Sequence, residues 1–180
     1  MSVTNSLACL TKKPISLVGL MGVGKTTIGR RLGLRLNAPF VDADHEIELA
    51  AGLSVSEIFE RYGEAYFRDG ESRVIARLID GVPKIIATGG GAFMHEKTRR
   101  LLLDNTIVVW IDADIDVIAD RVTRREGRPL LKDRDARTVL RELAATRNPI
   151  YAQATLRVKS QPVHQEIIVD QIMKALQNVQ

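Results

Sequence analysis

Short apolar runs alternate with stretches of helical period along this chain. The run Ile15-Ser16-Leu17-Val18 is too brief for a helix, and similar runs recur further on. Together they predict strands over 15–19, 39–42, 84–88, 106–111 and 154–158. Between them, apolar positions fall three and four residues apart. Ile28, Leu32 and Leu36 follow the first strand, and Ile168, Ile172 and Leu176 predict a closing helix over about 163–177. Short apolar strands alternating with helices predict a parallel sheet covered on both faces. Ligands then belong at the carboxyl ends of its strands.

Two segments exceed what a plain crossover needs. Residues 43–81 hold about three helical pieces, one opened by the capping-box sequence Ser54-Val55-Ser56-Glu57. They predict a wall for a second substrate. Residues 126–141 are polar, rich in Arg and Asp, with one apolar anchor at Pro129-Leu130-Leu131. With no apolar stripe to pin it, this stretch predicts a lid. The division is then a loose tail over 1–14 and a single domain over 15–180.

Composition narrows the class. A chain of 180 residues and 20.0 kDa can bury one full core, and at 4% aromatic that core rests on Ile, Leu, Val and Ala. No apolar stretch reaches membrane-span length, and the first 14 residues lack the order of a signal peptide. The single Cys9 excludes an intramolecular disulfide. A cytoplasmic enzyme fits all of this. The pI near 9.4 invites a nucleic-acid reading, but the charge is concentrated. From Arg121 to Arg147 there are eight Arg and one Lys against four acids, which outweighs the net +4 of the whole chain. Such a patch suits a compact polyanion such as ATP, and RNA is the alternative. It offers no aromatic platform for base stacking.

Residues 19–26, Gly-Leu-Met-Gly-Val-Gly-Lys-Thr, match G-x-x-x-x-G-K-[ST] in full. The motif lies between a predicted strand and a predicted helix, the context a phosphate-binding loop requires. Its glycines let backbone N–H groups converge on phosphate oxygens, and the helix N-terminus adds partial positive charge. Lys25 can reach the β- and γ-phosphates, and the Thr26 hydroxyl can reach Mg²⁺.

Other segments carry weaker signals. Asp42 and Asp44 end the second strand at i and i+2, where an extended chain puts both on one side, roughly 6–7 Å apart. They can divide the work between Mg²⁺ and an acceptor hydroxyl, or cap the next helix. Thr88-Gly89-Gly90-Gly91 ends the third strand with bare backbone, open to a ligand or simply a flexible turn. Arg68 and Glu71, at i and i+3, can pair on a helix, which alone reads as a surface ion pair. Arg147 ends a helix before Pro149, where a cation suits the helix dipole. His45, His95 and His164 show no metal-ligand spacing.

In series, the pieces GLMGVGKTTIGRRL, FVDADHEIE, GEAYFRDGES, TGGGA, GRPLL and TRNPIY resemble the shikimate kinase family, from about Pro14 to Val179. The resemblance implies an α/β P-loop NTPase of the nucleoside-monophosphate-kinase-like class. Its five-stranded parallel sheet is flanked by helices and carries a substrate-binding insertion and a lid. It implies transfer of the γ-phosphoryl of ATP to the 3-hydroxyl of shikimate, with Mg²⁺, on the route to aromatic amino acids. Gly22, Val23, Gly24, Lys25, Thr26 and Thr27 would then wrap the phosphates. Thr26 and Asp42 would hold Mg²⁺, the latter through water, and Asp44 would orient or deprotonate the attacking hydroxyl. Arg68 and Arg147 would grip the substrate carboxylate, and Gly89, Gly90 and Gly91 would supply backbone contacts. Arg128 would reach the phosphates from the lid, with Arg121, Gln161 and Pro162 near the nucleotide. The resemblance also implies a monomer acting on a small molecule, with no nucleic-acid or membrane partner. The alternatives are a kinase for another hydroxy acid such as gluconate, and a nucleotide-binding or RNA-binding module with no acceptor.

Overall fold

Every side chain of the two strands β1 (Ile15–Val18) and β3 (Ile85–Ala87) is buried. Burial on both faces is what a parallel sheet under two helical layers demands. The computed structural model describes residues 12–122, 135–160 and 165–179. Its five strands, with β2 (Phe40–Asp42), β4 (Ile107–Ala113) and β5 (Leu156–Ser160), form one parallel sheet in the order β2-β3-β1-β4-β5. The chain leaves β1 for the β2 edge, returns to β3, then crosses to β4 on the other side. A crevice therefore opens where these connections diverge, at the carboxyl end of β1.

Helix α1 (Lys25–Arg35) lies so near the sheet that a Cβ at Gly29 would meet the Phe40 ring at 2.4 Å. Ile28, Leu32 and Leu36 are buried beneath it, as the periodicity predicts. Each such side chain withdrawn from water contributes roughly 1.5–3 kcal/mol. The rest of the frame is α4 (Glu96–Asn105), α5 (Ile115–Val122), α6 (Ala136–Tyr151) and α7 (Gln165–Leu176). No helix among the described residues is long and apolar enough to cross a membrane.

The insertion holds α2 (Ala43–Ala51) and α3 (Val55–Leu78). Gly63 breaks α3 at φ 79° and ψ 174°, so the three expected helical pieces are α2 and the two halves of α3. The capping box is formed: Glu57 N–H donates to Ser54 Oγ at 3.2 Å, and Ser54 N–H donates to Glu57 Oε2 at 2.8 Å. Beyond the break, Val74, Ile75 and Leu78 enter the core and anchor the insertion.

Several expected boundaries move. The strand expected at 154–158 runs from 156 to 160, because the chain is still leaving α6: Gln153 and Ala154 N–H donate to the Ile150 and Tyr151 carbonyls. Arg147 does not end its helix, which continues through Pro149 to Tyr151. The lid expected over 126–141 overruns into α6, where Asp135 accepts from Thr138 N–H at 2.9 Å and caps the first turn. Ala136, Val139 and Leu140 are buried, part of a helical stripe continued by Ala144. Pro14, assigned to the tail, is buried, and its carbonyl accepts from Ile107 N–H at 2.9 Å.

Candidate active site

The loop after β1 turns three times through glycine. Gly19, Gly22 and Gly24 have φ of 142°, 82° and 98°, a region L side chains disfavour. Gly24 is the N-cap of α1 with no side-chain cap, so the helix start faces the crevice as bare backbone. Val23 is buried and offers only its main chain. Lys25 curls back over the loop, its Nζ donating to Gly19 O at 2.8 Å and Leu20 O at 2.9 Å. This puts a cation beside the amides that a phosphate would meet.

Asp42 joins the loop to the insertion. Its Oδ2 accepts from Thr26 Oγ1 at 2.7 Å, and its Oδ1 accepts from Asp44 N–H at 3.1 Å as the N-cap of α2. Of the two readings, capping and function, Asp42 satisfies the first while facing the second. Asp44 is not in an extended chain as expected; it sits in the first turn of α2. Both still line the same cavity. Burial raises the Asp44 pKa first, the nearby Asp42 charge adds to it, and Lys25 and Arg68 pull it back. A carboxylate raised in this way is a stronger base than a solvated one.

Thr26 Oγ1 and Asp42 Oδ2 form an adjacent pair of hard oxygen donors. This fits Mg²⁺, which takes one or two protein oxygens and completes its shell with phosphate and water. Among the described residues no cluster of three or more His, Cys, Asp or Glu could hold a metal by itself.

Arg68 and Glu71 depart furthest from expectation. They are no surface pair: Glu71 is 0% exposed, and Arg68 Nη1 donates to its Oε2 at 2.6 Å. The guanidinium also lies over the Phe67 ring, 5.1 Å from its centroid, and 6.0 Å from that of Phe59. Its Nε and Nη2 reach the more exposed Glu64 at a longer 3.4 Å, so charge and stacking together hold the guanidinium in place. Burial pushes the Glu71 carboxyl up to about 7 against the pull of Arg68, and its Oε1 has no hydrogen-bond partner among the described residues.

The three glycines after β3 are there for space. A Cβ at Gly89 would meet Asp44 Oδ1 at 2.7 Å, one at Gly90 would meet Met21 N at 3.2 Å, and one at Gly91 would meet Arg68 Nη2 at 2.3 Å. The loop thus threads between the phosphate loop and the acidic wall. Arg147, on α6, donates from Nη1 to Gly90 O at 3.0 Å.

One cavity of about 1010 Å³ gathers these groups. Gly22, Gly24, Lys25, Thr26 and Thr27 line one end, and Asp44, Arg68, Arg147 and the three glycines line the other. Arg121 lines it too, its Nη1 donating to Val23 O at 3.4 Å. Gln165, at the start of α7, lines it without any expectation that it would; the alternation marks only that α7 follows β5. Phe59 and Phe67 were also missed, since apolar residues in an amphipathic helix read as core. Arg128, Gln161 and Pro162 lie outside the described residues.

A family model described as shikimate kinase matches residues 21–177. The chain belongs to the shikimate kinase family. A shikimate kinase of Zymomonas mobilis subsp. mobilis is 57% identical over 164 residues, covering 91% of this chain and 93% of that one. The solved shikimate kinase from Acinetobacter baumannii, described as in complex with shikimate, has a TM-score of 0.90 at 34% identity and covers 95% and 96%. A gluconokinase from Sinorhizobium meliloti 1021 has a TM-score of 0.58 at 18% identity and covers 93% of each chain, a likeness of fold alone. Both sets of residues therefore line one cavity in a chain of this family.

Proposed function

We propose that this chain moves the γ-phosphoryl group of ATP to the 3-hydroxyl of shikimate, with Mg²⁺, in aromatic amino-acid biosynthesis. The observation that carries the reading is the shared cavity, in which a phosphate loop faces two guanidinium groups and a buried carboxylate. Gly22 to Thr27 wrap the phosphates with backbone N–H groups, and Thr26 and Asp42 hold Mg²⁺. The ion, when bound, supplies charge neutralisation at the phosphate oxygens. Arg68 and Arg147 take the acceptor carboxylate in their planar forks. That grip turns the acceptor so that its 3-hydroxyl meets Asp44.

Transfer is then largely a matter of position and charge. Asp44 accepts the proton of the attacking hydroxyl, for which its raised pKa suits it. Lys25 leaves its two carbonyl partners for the transferring phosphoryl group and offsets the charge gathering there. Backbone donors of Gly89, Gly90 and Gly91 line the gap between the two substrates. Arg128 and the segment around it belong to the proposal as a lid that excludes water, and Arg121, Gln161 and Pro162 belong to it as nucleotide contacts. We further propose a cytoplasmic monomer that acts on a small molecule, as family membership suggests.

The test is ADP release from Mg-ATP on addition of shikimate, quinate or gluconate. Strong stimulation by shikimate alone is the expected result. ATP binding without stimulation by any acceptor would overturn the reading.

A further inference from the structure

Tyr151 closes α6 and is 1% exposed, among the largest fully buried side chains. Its ring stacks between Phe93, at 6.2 Å between centroids, and Trp110, at 5.9 Å. Its hydroxyl donates to Gly90 O, the same carbonyl that takes a bond from Arg147 one helical turn earlier. Burial pushes the phenol up to about 12 against the pull of Arg147, whose guanidinium also hydrogen-bonds the hydroxyl, so the proton it donates stays in place across the working pH range.

The neighbouring carbonyls are taken as well. Ala92 N–H donates to Gly89 O at 3.2 Å, and Met94 N–H donates to Gly91 O at 3.0 Å. Every acceptor of the triple-glycine loop is therefore used inside the protein. None of its three N–H groups has a backbone partner among the described residues, so the loop, which lines the cavity, keeps donors rather than acceptors unspent.

Arg147 has two calls on it. In this structure it serves the Gly90 carbonyl and the Tyr151 hydroxyl, yet the acceptor carboxylate needs the same guanidinium. A carboxylate meets the guanidinium with opposite charge and two oxygens, a stronger and more directional match than one carbonyl oxygen. Moving Arg147 would strand a partly buried carbonyl, unless a second donor already satisfies it.

We propose that Tyr151 is a positioning residue for the acceptor: its hydroxyl latches the Gly90 carbonyl so that Arg147 is free to turn to the acceptor carboxylate. The inference rests on the acceptor reading above. Without the hydroxyl, binding the carboxylate breaks the last bond to Gly90 O, and the loop loses its register against Met21.

Tyr151→Phe keeps the ring and its stacking, so the fold is preserved. The expected result is a shikimate KM raised roughly tenfold, about the factor of one lost net hydrogen bond. The ATP KM and the thermal midpoint stay near wild type. A second comparison separates latch from scaffold. In an Arg147→Ala background, Tyr151→Phe should raise the shikimate KM less than twofold, because no guanidinium remains to be released. An unchanged shikimate KM in the single variant overturns the proposal. So does an equal effect in both backgrounds, which marks a purely structural role. Wild-type protein inactive on shikimate would instead break the acceptor reading, so the two failures are distinct.

Discussion

The two ends of the cavity are built by opposite strategies. The phosphate end comes from one continuous stretch, Gly19 to Thr27, and works through backbone geometry and a helix start. The end proposed for the acceptor comes from four places far apart in the chain: Asp44 on α2, Arg68 and Glu71 on α3, the glycines after β3, and Arg147 on α6, with Tyr151 behind it on the Gly90 carbonyl. It works through side-chain charge held in position by neighbours. A contiguous site carries its own geometry, whereas a dispersed one inherits geometry from the fold. Asp42 and Gly90 are the joints, the first tied to Thr26 and the second packed against Met21 N.

If the ends are this distinct, they should fail differently. The largest effect belongs to the phosphate end. Lys25→Met should lower turnover in the ADP-release assay by about a thousandfold, the scale of removing one preorganised charge donor from a transition state. Shikimate binding, followed by the fluorescence of the single Trp110, should change by less than about twofold. A collapse of both would erase the distinction.

Next comes the acceptor end. Arg147→Ala should raise the shikimate KM by about 30- to 150-fold, the factor for a charge-assisted bond of about 2–3 kcal/mol. The ATP KM should hold. An unchanged shikimate KM would remove Arg147 from the carboxylate.

Glu71 tests what holding those charges in position costs. Its folded-state pKa, about 7, lies above the ordinary 4.5, so the folded chain binds the extra proton between those values. Stability therefore falls as pH rises from about 5 to 7 and levels off above, with a total on the order of 3 kcal/mol. Urea midpoints of wild type and Glu71→Gln, taken at pH 5 and pH 8, should diverge with the wild type losing more. Parallel profiles would mean that Arg68 keeps Glu71 ionised throughout.

The smallest effect lies outside both ends. Gly70 sits in the second half of α3, where an added methyl would meet nothing within 4 Å, and its φ is not positive. Gly70→Ala should stabilise the chain by about 0.5–1 kcal/mol through helix propensity, with activity unchanged. A loss of activity there would show that the insertion depends on a loose helix.

How far the chain could be read follows the same division. The phosphate loop was legible because pattern, preceding strand and following helix are adjacent. The sheet was legible because fully buried strands must be short and apolar. Spacing alone reads Arg68 and Glu71 as a surface pair, and only the family resemblance moves Arg68 to the site, since i and i+3 spacing says that two residues meet and not whether water reaches them. The triple glycine reads equally as a turn or a close approach in sequence, and only the positions of Asp44, Met21 and Arg68 around it decide. Arg147 was placed at a helix end because Pro149 normally stops a helix, yet the helix continues two residues beyond it, to Tyr151.

Local order along the chain thus sufficed for the strand and helix alternation, the phosphate loop and the family's motifs. Each depends on residues within a turn or a strand of one another, where backbone sterics and hydrophobic period decide. Burial of Glu71, the raised pKa of Asp44 and the shared grip of Arg147 and Tyr151 on Gly90 arise only once the sheet has brought distant segments together. Desolvation and charge coupling depend on distance in space, and spacing along the chain does not encode it.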